Sequence, residues 1–490
     1  MFEFLQDEAI PYQTILLTLS AGVCAFEIYL DLRQIPHLQL KEPPASIAPY
    51  LVVATDGPKT EEGNEKASKQ ISAQETFIKS QAYALDKVKF SIISGIINQA
   101  EMMVLLSPFL PIYFGANPAK ATSGFASLWN LAIDWSYRWS NVAPGWLNIG
   151  TGEIATSVFF VTLLSITGMV TSIPADLYKT FVLEEKHGFN KQTLGLWLSD
   201  FVKTTILSAV LGLPLLSVFL WIVRWAGEAF VQYVMLLVMG IVVFMYVGYP
   251  YLIAPLFNKF RHLSEFPEYK EVKTRTEALA KRIKFPLGRL WVIDGSKRSA
   301  HSNAFFFGLP GFTKHIVLYD TLLKQSSAAE VEAVLAHELG HWQMNHSIML
   351  LGLSQIQLAF TLSIFRFFIW NPAVFKSFGI PPLAGLSPIQ FPLIIGFLVV
   401  QNLFTPLNAL LTFASNSLSR TLEFQADKFA SDLGGSFASD LKWALVRISA
   451  ENKATTSCDW LYSAFHHSHP TLPERLARLG SESHESRKNQ

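Results

Sequence analysis

Between Val231 and Phe257 the chain carries no charged residue. A run of that length spans the hydrocarbon core of a bilayer, where no water is available to the backbone. There each N–H and C=O must be satisfied within the segment, which dictates a helix. The pattern recurs along the chain: seven segments read as membrane helices, at 12–32, 88–114, 154–176, 203–224, 230–254, 347–369 and 391–415. Composition agrees, with 50% hydrophobic and only 16% charged residues, too apolar for an ordinary soluble enzyme of 490 residues. A net charge of +1 leaves no basic footprint for nucleic acid. Glu27 and Glu101 fall inside the first two spans, where acids are costly and face either a wet cavity or a helix end.

Seven spans put the termini on opposite sides. Segments 33–87, 177–202, 255–346 and 416–490 then share one face. They hold most loop cations, including Lys66, Lys69, Lys186, Lys191, Lys281 and Lys284. The opposite loops hold few, chiefly Lys120, Arg138, Arg224 and Lys376. The positive-inside rule makes the first face cytosolic and discounts the Asn345-His346-Ser347 sequon. Met1 to Glu8 is acidic, so no cleavable signal peptide is expected. Cys24 and Cys458 have no CxxC partner and read as packed or free thiols.

The chemistry is concentrated at His337-Glu338-Leu339-Gly340-His341. Two histidines four apart share a helix face and can bind one Zn²⁺, with Glu338 beside them as base for a metal-bound water. The preceding Ser326–Leu335 stretch reads as a capped helix start. The sixth span begins at Ser347, about 9 Å along the helix axis from His341. A third ligand is offered by Glu423, in Arg420-Thr421-Leu422-Glu423-Phe424-Gln425-Ala426-Asp427, a stretch helical by period. Asp427, on the same helix face, is placed to orient a zinc histidine.

Spans six and seven separate these ligands. The expected organisation is a membrane part at 1–257 with a polar connector at 33–87. The first part of the zinc domain follows at 258–346, then a membrane hairpin at 347–415 and the second part of the zinc domain at 416–490. The soluble stretch opens with charged helix from Glu265 to Lys284. Strand-like pieces follow at Arg289–Asp294, Ser302–Gly308 and His315–Tyr319. The Ser302–Gly308 strand is a candidate edge for an extended substrate, with backbone groups near Asn303 and Ala304. From the residues alone, Asn303 reads rather as a turn residue entering the strand. His466, His467 and His469 are candidate oxyanion donors, with Arg475 just beyond, and the sequence does not choose among them.

The HELGH run, Glu423–Asp427, and Ser468-His469-Pro470 with Glu474-Arg475 resemble the integral-membrane CaaX prenyl endopeptidases, zinc metalloproteases of the gluzincin type. So do Glu27–Gln34, Ile173–Thr193 and Asn303–Gly308, and the similarity covers nearly the whole chain. The resemblance implies a mainly α, polytopic membrane protein whose seven helices enclose a water-filled chamber. A small α+β zinc-protease domain sits on its cytosolic face, and Glu27 and Glu101 are candidates to line the chamber. It further implies one Zn²⁺ per chain on His337, His341 and Glu423, with Glu338 as base. His469 becomes the transition-state donor, helped by Arg475, and Asn303, Ala304 and Phe305 fall on the substrate strand. The implied partners are prenylated CaaX proteins and the lipid bilayer. The implied location is the endoplasmic reticulum and inner nuclear membrane. The implied reaction removes the last three residues of a prenylated CaaX sequence, with a second upstream cut in some members. A broad-specificity membrane quality-control protease, clearing stalled translocon substrates, uses the same residues and stands as the alternative.

Overall fold

The computed structural model describes Leu5 and residues 7–45, 73–106, 123–308, 312–380, 382–383 and 390–488. The connector at 46–72, with Lys66 and Lys69, lies outside the described residues, as does the end of the expected second span at 107–114.

The membrane part contains α1 (Tyr12–Leu38), α2 (Ala73–Leu106), α3 (Gly124–Val142), α4 (Glu153–Tyr178), α5 (Leu194–Ala226) and α6 (Phe230–Gly248). The remainder opens with strand β1 (Phe260–His262), helix α7 (Lys270–Arg282), strand β2 (Leu287–Ile293), strand β3 (Ala304–Phe307) and strand β4 (Lys314–Tyr319). Helices α8 (Asp320–Gln325), α9 (Ala328–Gln343), α10 (His346–Phe368), α11 (Pro372–Ser377), α12 (Leu393–Leu403) and α13 (Thr405–Asp432) follow. The chain closes with α14 (Phe437–Glu451), α15 (Trp460–His466) and α16 (Leu472–Lys488).

Among the described residues, five helical stretches are long and apolar enough to cross a membrane, or six if the bent pair α12–α13 is one span. One of the five, Leu194–Leu256, runs 63 residues, three times a bilayer crossing. It contains Gly227, whose φ of +53° is a conformation L side chains rarely adopt, and α5 and α6 pack against each other on either side of it.

Three features depart from the sequence reading. The seventh span is not straight: the chain bends by 62° at Phe404 between α12 and α13. Helix α3, read as loop, is capped by the Ser123 hydroxyl and buries Phe125 and Trp129 against Phe160 of α4. Its length is ordinary, but its small apolar face mixed with Asp134 and Arg138 hid it from a hydropathy scan. Strand β1 was too short to be visible. The charged helix is present but shorter than expected, as α7.

The sheet has the order β1-β2-β4-β3, with β2–β4 parallel and both outer pairs antiparallel. Strand β3 is therefore an edge. Ala304 and Phe306 face the soluble core with Ile316, Leu318, Leu335 and Leu339, so α9 is packed directly beneath the edge strand. A separate apolar core, built on Leu16, Trp129, Phe160, Phe230 and Phe375, fills the membrane part.

Two of the stretches that carry the family resemblance dock these parts together. From α1, Arg33 pairs with Asp459 at 2.9 Å, and Gln34 donates to Ser457 O and accepts from Asp459 N. From the turn after α4, Phe189 stacks on His301 at 4.2 Å, and Asn190 bridges to Ser299. Asp459 also caps α15, accepting from the Leu461 and Tyr462 N–H groups. Asp459→Ala removes cap and ion pair together, whereas Arg33→Ala removes the ion pair alone. The first is expected to lower the unfolding midpoint of the detergent-solubilised protein further than the second, by the cap's share of about 1 kcal/mol. Equal midpoints would show that the cap carries no stability here.

Candidate metal centre

Helix α9 starts on a reciprocal cap: Ser327 accepts from Glu330 N, and the Glu330 carboxylate accepts from Ser327 N. Arg447 of α14 pairs with Glu330 at 3.0 Å and holds that end of the helix. Ten residues on, His337 and His341 occupy successive turns of one face. Helix α13 crosses this face at Gly340. A Cβ there would lie 3.0 Å from Phe429 Cδ1 and 3.3 Å from Ala426 O. The glycine thus permits the close approach that brings Glu423 to the histidines.

His337, His341 and Glu423 converge as a group able to hold a metal ion. His337 Nε2 and His341 Nε2 are 3.3 Å apart. They lie 3.4 and 3.3 Å from the two oxygens of Glu423. A tetrahedral site with ligand bonds of about 2.0–2.1 Å has edges of about 3.3–3.4 Å. The outer ring nitrogens are also committed. His337 Nδ1 donates to Asp427 Oδ1 at 2.9 Å, and His341 Nδ1 is 2.9 Å from His346 Nδ1. With both Nδ1 positions protonated, both Nε2 lone pairs point at each other and at a carboxylate. Glu423 Oε2 is buried with no hydrogen-bond partner among the described residues. A donor set of lone pairs without a shared proton is satisfied by a cation.

The other expected residues fall around this centre. Asp427 is buried and forms a two-point ion pair with Arg475, whose guanidinium also lies 3.8 Å from Glu423. Arg475 therefore stands behind the histidine and acid ligands. Burial raises the Glu338 carboxyl above its ordinary value, opposed by the nearby histidine charges. Of the three downstream histidines, only His469 reaches the centre, with Nε2 3.3 Å from Glu423 Oε1 and the side chain open to the cavity. His467 is turned onto Ser463, and burial together with Arg420 pushes it down to about 4. His466 packs on the Tyr462 ring. The loop is set by a one-sided cap, in which the Glu474 carboxylate accepts from both the N–H and the hydroxyl of Thr471 at 2.7 Å. That cap starts α16 immediately after His469-Pro470 and puts Arg475 in its first turn. Asn303 lies exposed just before β3, its carbonyl accepting from Tyr319 N. Ala304 faces the core and Phe305 the membrane part, where it lines a cavity with Glu338. Glu27 lines a second cavity beside Asp31, whereas Glu101 accepts from the Thr171 hydroxyl.

Two family models match the chain. One, the CAAX prenyl protease N-terminal region with five membrane helices, matches residues 34–259. The other, peptidase family M48, matches residues 268–483. The Saccharomyces cerevisiae CAAX prenyl protease 1 is 36% identical over 96% of this chain and 95% of its own length. The Arabidopsis thaliana homologue is 36% identical over 97% and 99%, and the human homologue 36% over 84% and 87%. The chain belongs to the CAAX prenyl protease family. The crystal structure of S. mikatae Ste24p superposes with a TM-score of 0.79 at 35% identity, covering 96% of this chain and 99% of that one. The fold is therefore that of a multi-pass membrane metallopeptidase of family M48, mainly helical with a small mixed sheet.

Sequence reasoning missed His346. It appeared only as the middle of a sequon, yet it is buried at the start of α10 with its Nε2 3.0 Å from Gln425 Oε1. With Gln425 Oε1 as acceptor and both rings neutral, the proton chain runs His341 Nδ1–H to His346 Nδ1, then His346 Nε2–H to Gln425. Asn345, at φ +57°, provides the left-handed turn that folds His346 back under His341. The signal was available in the spacing: a third histidine five residues beyond the motif, next to an Asn that tolerates that turn. His346→Ala is expected to weaken metal binding roughly 10- to 100-fold, read as metal retention against a competing chelator. Unchanged retention would remove His346 from the metal support.

Proposed function

We propose that this protein is a zinc-dependent endopeptidase that removes the last three residues of prenylated CaaX proteins. The observation that carries the reading is the neighbourhood of Glu338. It and His341 form one wall of a cavity of about 770 Å³ lined by Phe305 of β3, Met239 and Val243 of α6, and Ile348 and Leu351 of α10. An apolar cleft between membrane helices, headed by a metal centre, suits a lipidated substrate. The prenyl thioether lies only three bonds from the carbonyl to be cut, so lipid and scissile bond must be housed side by side. The names of the relatives favour this reading over a broad quality-control protease.

His337, His341 and Glu423 would hold one zinc ion per chain, which would supply Lewis-acid polarisation of the scissile carbonyl and lower the pKa of a water at the centre. Glu338 takes the water proton and passes it to the leaving amine. His469 donates to the developing oxyanion from the open side of the centre. Asp427 orients His337, and Arg475 holds Asp427 in place. The peptide adds to the free edge of β3 beside Asn303, Ala304 and Phe305. Seven spans follow if Leu194–Leu256 divides at Gly227 and α12–α13 forms one bent crossing. The metal centre then lies on the cytosolic face of the endoplasmic reticulum membrane, with the inner nuclear membrane as a second location, in keeping with the cationic loops on that side. The proposed parts 1–257, 258–346, 347–415 and 416–490 are divisions of membrane depth, since α13 runs unbroken through 415–416.

Purified protein in detergent is expected to release the terminal tripeptide from a prenylated CaaX peptide much faster than from its unprenylated counterpart. Chelation should abolish release and added zinc restore it. Glu338→Gln should retain zinc while losing at least a hundredfold in rate. Equal cleavage of both peptides would sink the prenyl specificity, and an active Glu338→Gln variant would sink the assigned base.

A further inference from the structure

A third cavity, of about 590 Å³, has His469 in its wall. The apolar cleft is lined by Lys284, Lys314 and Glu338 besides its apolar side chains. This cavity is lined by Lys87, Lys453 and His301 and by no Asp or Glu among the described residues, although Glu184 lies 4.0 Å from His301. Lys453 donates to His187 O, and His301 is 3.1 Å from Asn452 Oδ1. Lys87 lies midway along α2, a membrane helix, with its ammonium 5.0 Å from the Tyr83 ring centroid. It forms no ion pair among the described residues, although Glu184, Glu27 and Asp31 line an adjoining cavity that it also borders. Lys87 directly precedes the expected span 88–114 and borders the same cavity as Asn452, Lys453 and Thr471 of the soluble part.

We propose that this cavity is the recognition site for the C-terminal carboxylate of the substrate, with Lys87 as its direct partner. The assignment deepens the prenyl-protease reading and rests on it. The peptide must present two unlike ends to the metal centre: an apolar lipid on the residue before the cut, and a free carboxylate three residues after it. The structure offers two cavities at the centre, one walled by apolar side chains of α6 and α10 and one with Lys87 and Lys453 but no acid in its lining. Strand β3 connects them, with His301 just before it at the cationic cavity and Phe305–Phe307 at the apolar one. Three extended residues span about 10 Å, a reach that lies within one cavity of this size. Lys453 adds a second ammonium to the lining. Lys87 thus acts as a ruler that places the third bond from the C-terminus at the metal.

The test compares a prenylated CaaX peptide ending in a free acid with the same peptide ending in an amide. The native enzyme is expected to prefer the acid roughly 10- to 100-fold in kcat/KM, mostly through KM, the range of a charge-assisted hydrogen bond. Lys87→Met should collapse the ratio towards one, and Lys87→Arg should restore most of it. The released tripeptide acid should also inhibit the native enzyme while its amide does not, a measurement independent of any variant's folding. An acid-to-amide ratio near one in the native enzyme, or a ratio unchanged in Lys87→Met at full zinc content, overturns the carboxylate site alone. Absence of any zinc-dependent cleavage of the free acid overturns the prenyl-protease reading with it.

Discussion

Everything at the metal centre hangs on the crossing of α9 and α13. At Gly340 the two helices touch through Phe429 and the Ala426 carbonyl, with no room for a side chain. The crossing lies between His337 and His341 on one helix and beside Glu423 on the other, so the ligand set exists only while it holds. Each helix is also tied to the bilayer. Helix α9 is followed after a two-residue turn by α10, and α13 extends unbroken from Thr405 to Asp432. The protease centre is thus built from the ends of membrane hairpin helices, and disturbance of their packing reaches the ligands without a flexible linker to absorb it.

Charge sets the second constraint. Glu423 and Asp427 are buried and Glu338 is largely so, while Arg475 is the one guanidinium among them. Arg475 is committed to Asp427. Glu423 faces the Nε2 atoms of His337 and His341, with His469 at 3.3 Å and Arg475 at 3.8 Å. A divalent ion would fit the donor set of His337, His341 and Glu423.

The legible parts of the sequence were those governed by local spacing. The paired histidines, the i, i+4 acids Glu423 and Asp427, the capped start of α9 and the long apolar runs were all readable from periodicity. Convergence was not. Nothing in residues 465–470 distinguishes His469 from His467 until the Thr471–Glu474 cap fixes where α16 begins and Ser463 takes up His467. The bend at Phe404 was invisible because the hydropathy is continuous across it, and α3 because its polar face dilutes the apolar one. The stretches Glu27–Gln34 and His187–Asn190 were recognisable by resemblance, but their physical role in docking the two parts through Asp459 and His301 needed coordinates.

The two cavities also bear on the direction in which a peptide lies against β3. Pairing alone does not choose: an edge strand accepts parallel or antiparallel partners with only a small difference in stability. Chemistry does choose. An antiparallel peptide puts its lipidated residue towards Phe307 and its carboxylate towards His301. A parallel one puts the lipid among Lys87, Lys453 and His301, away from the apolar side chains of α6 and α10. Burial of the isoprenoid, at ~0.8 kcal/mol per methylene, favours the antiparallel direction. Direction, and with it which side of the prenylated residue is cut, follows from what lies at the two ends of one short strand.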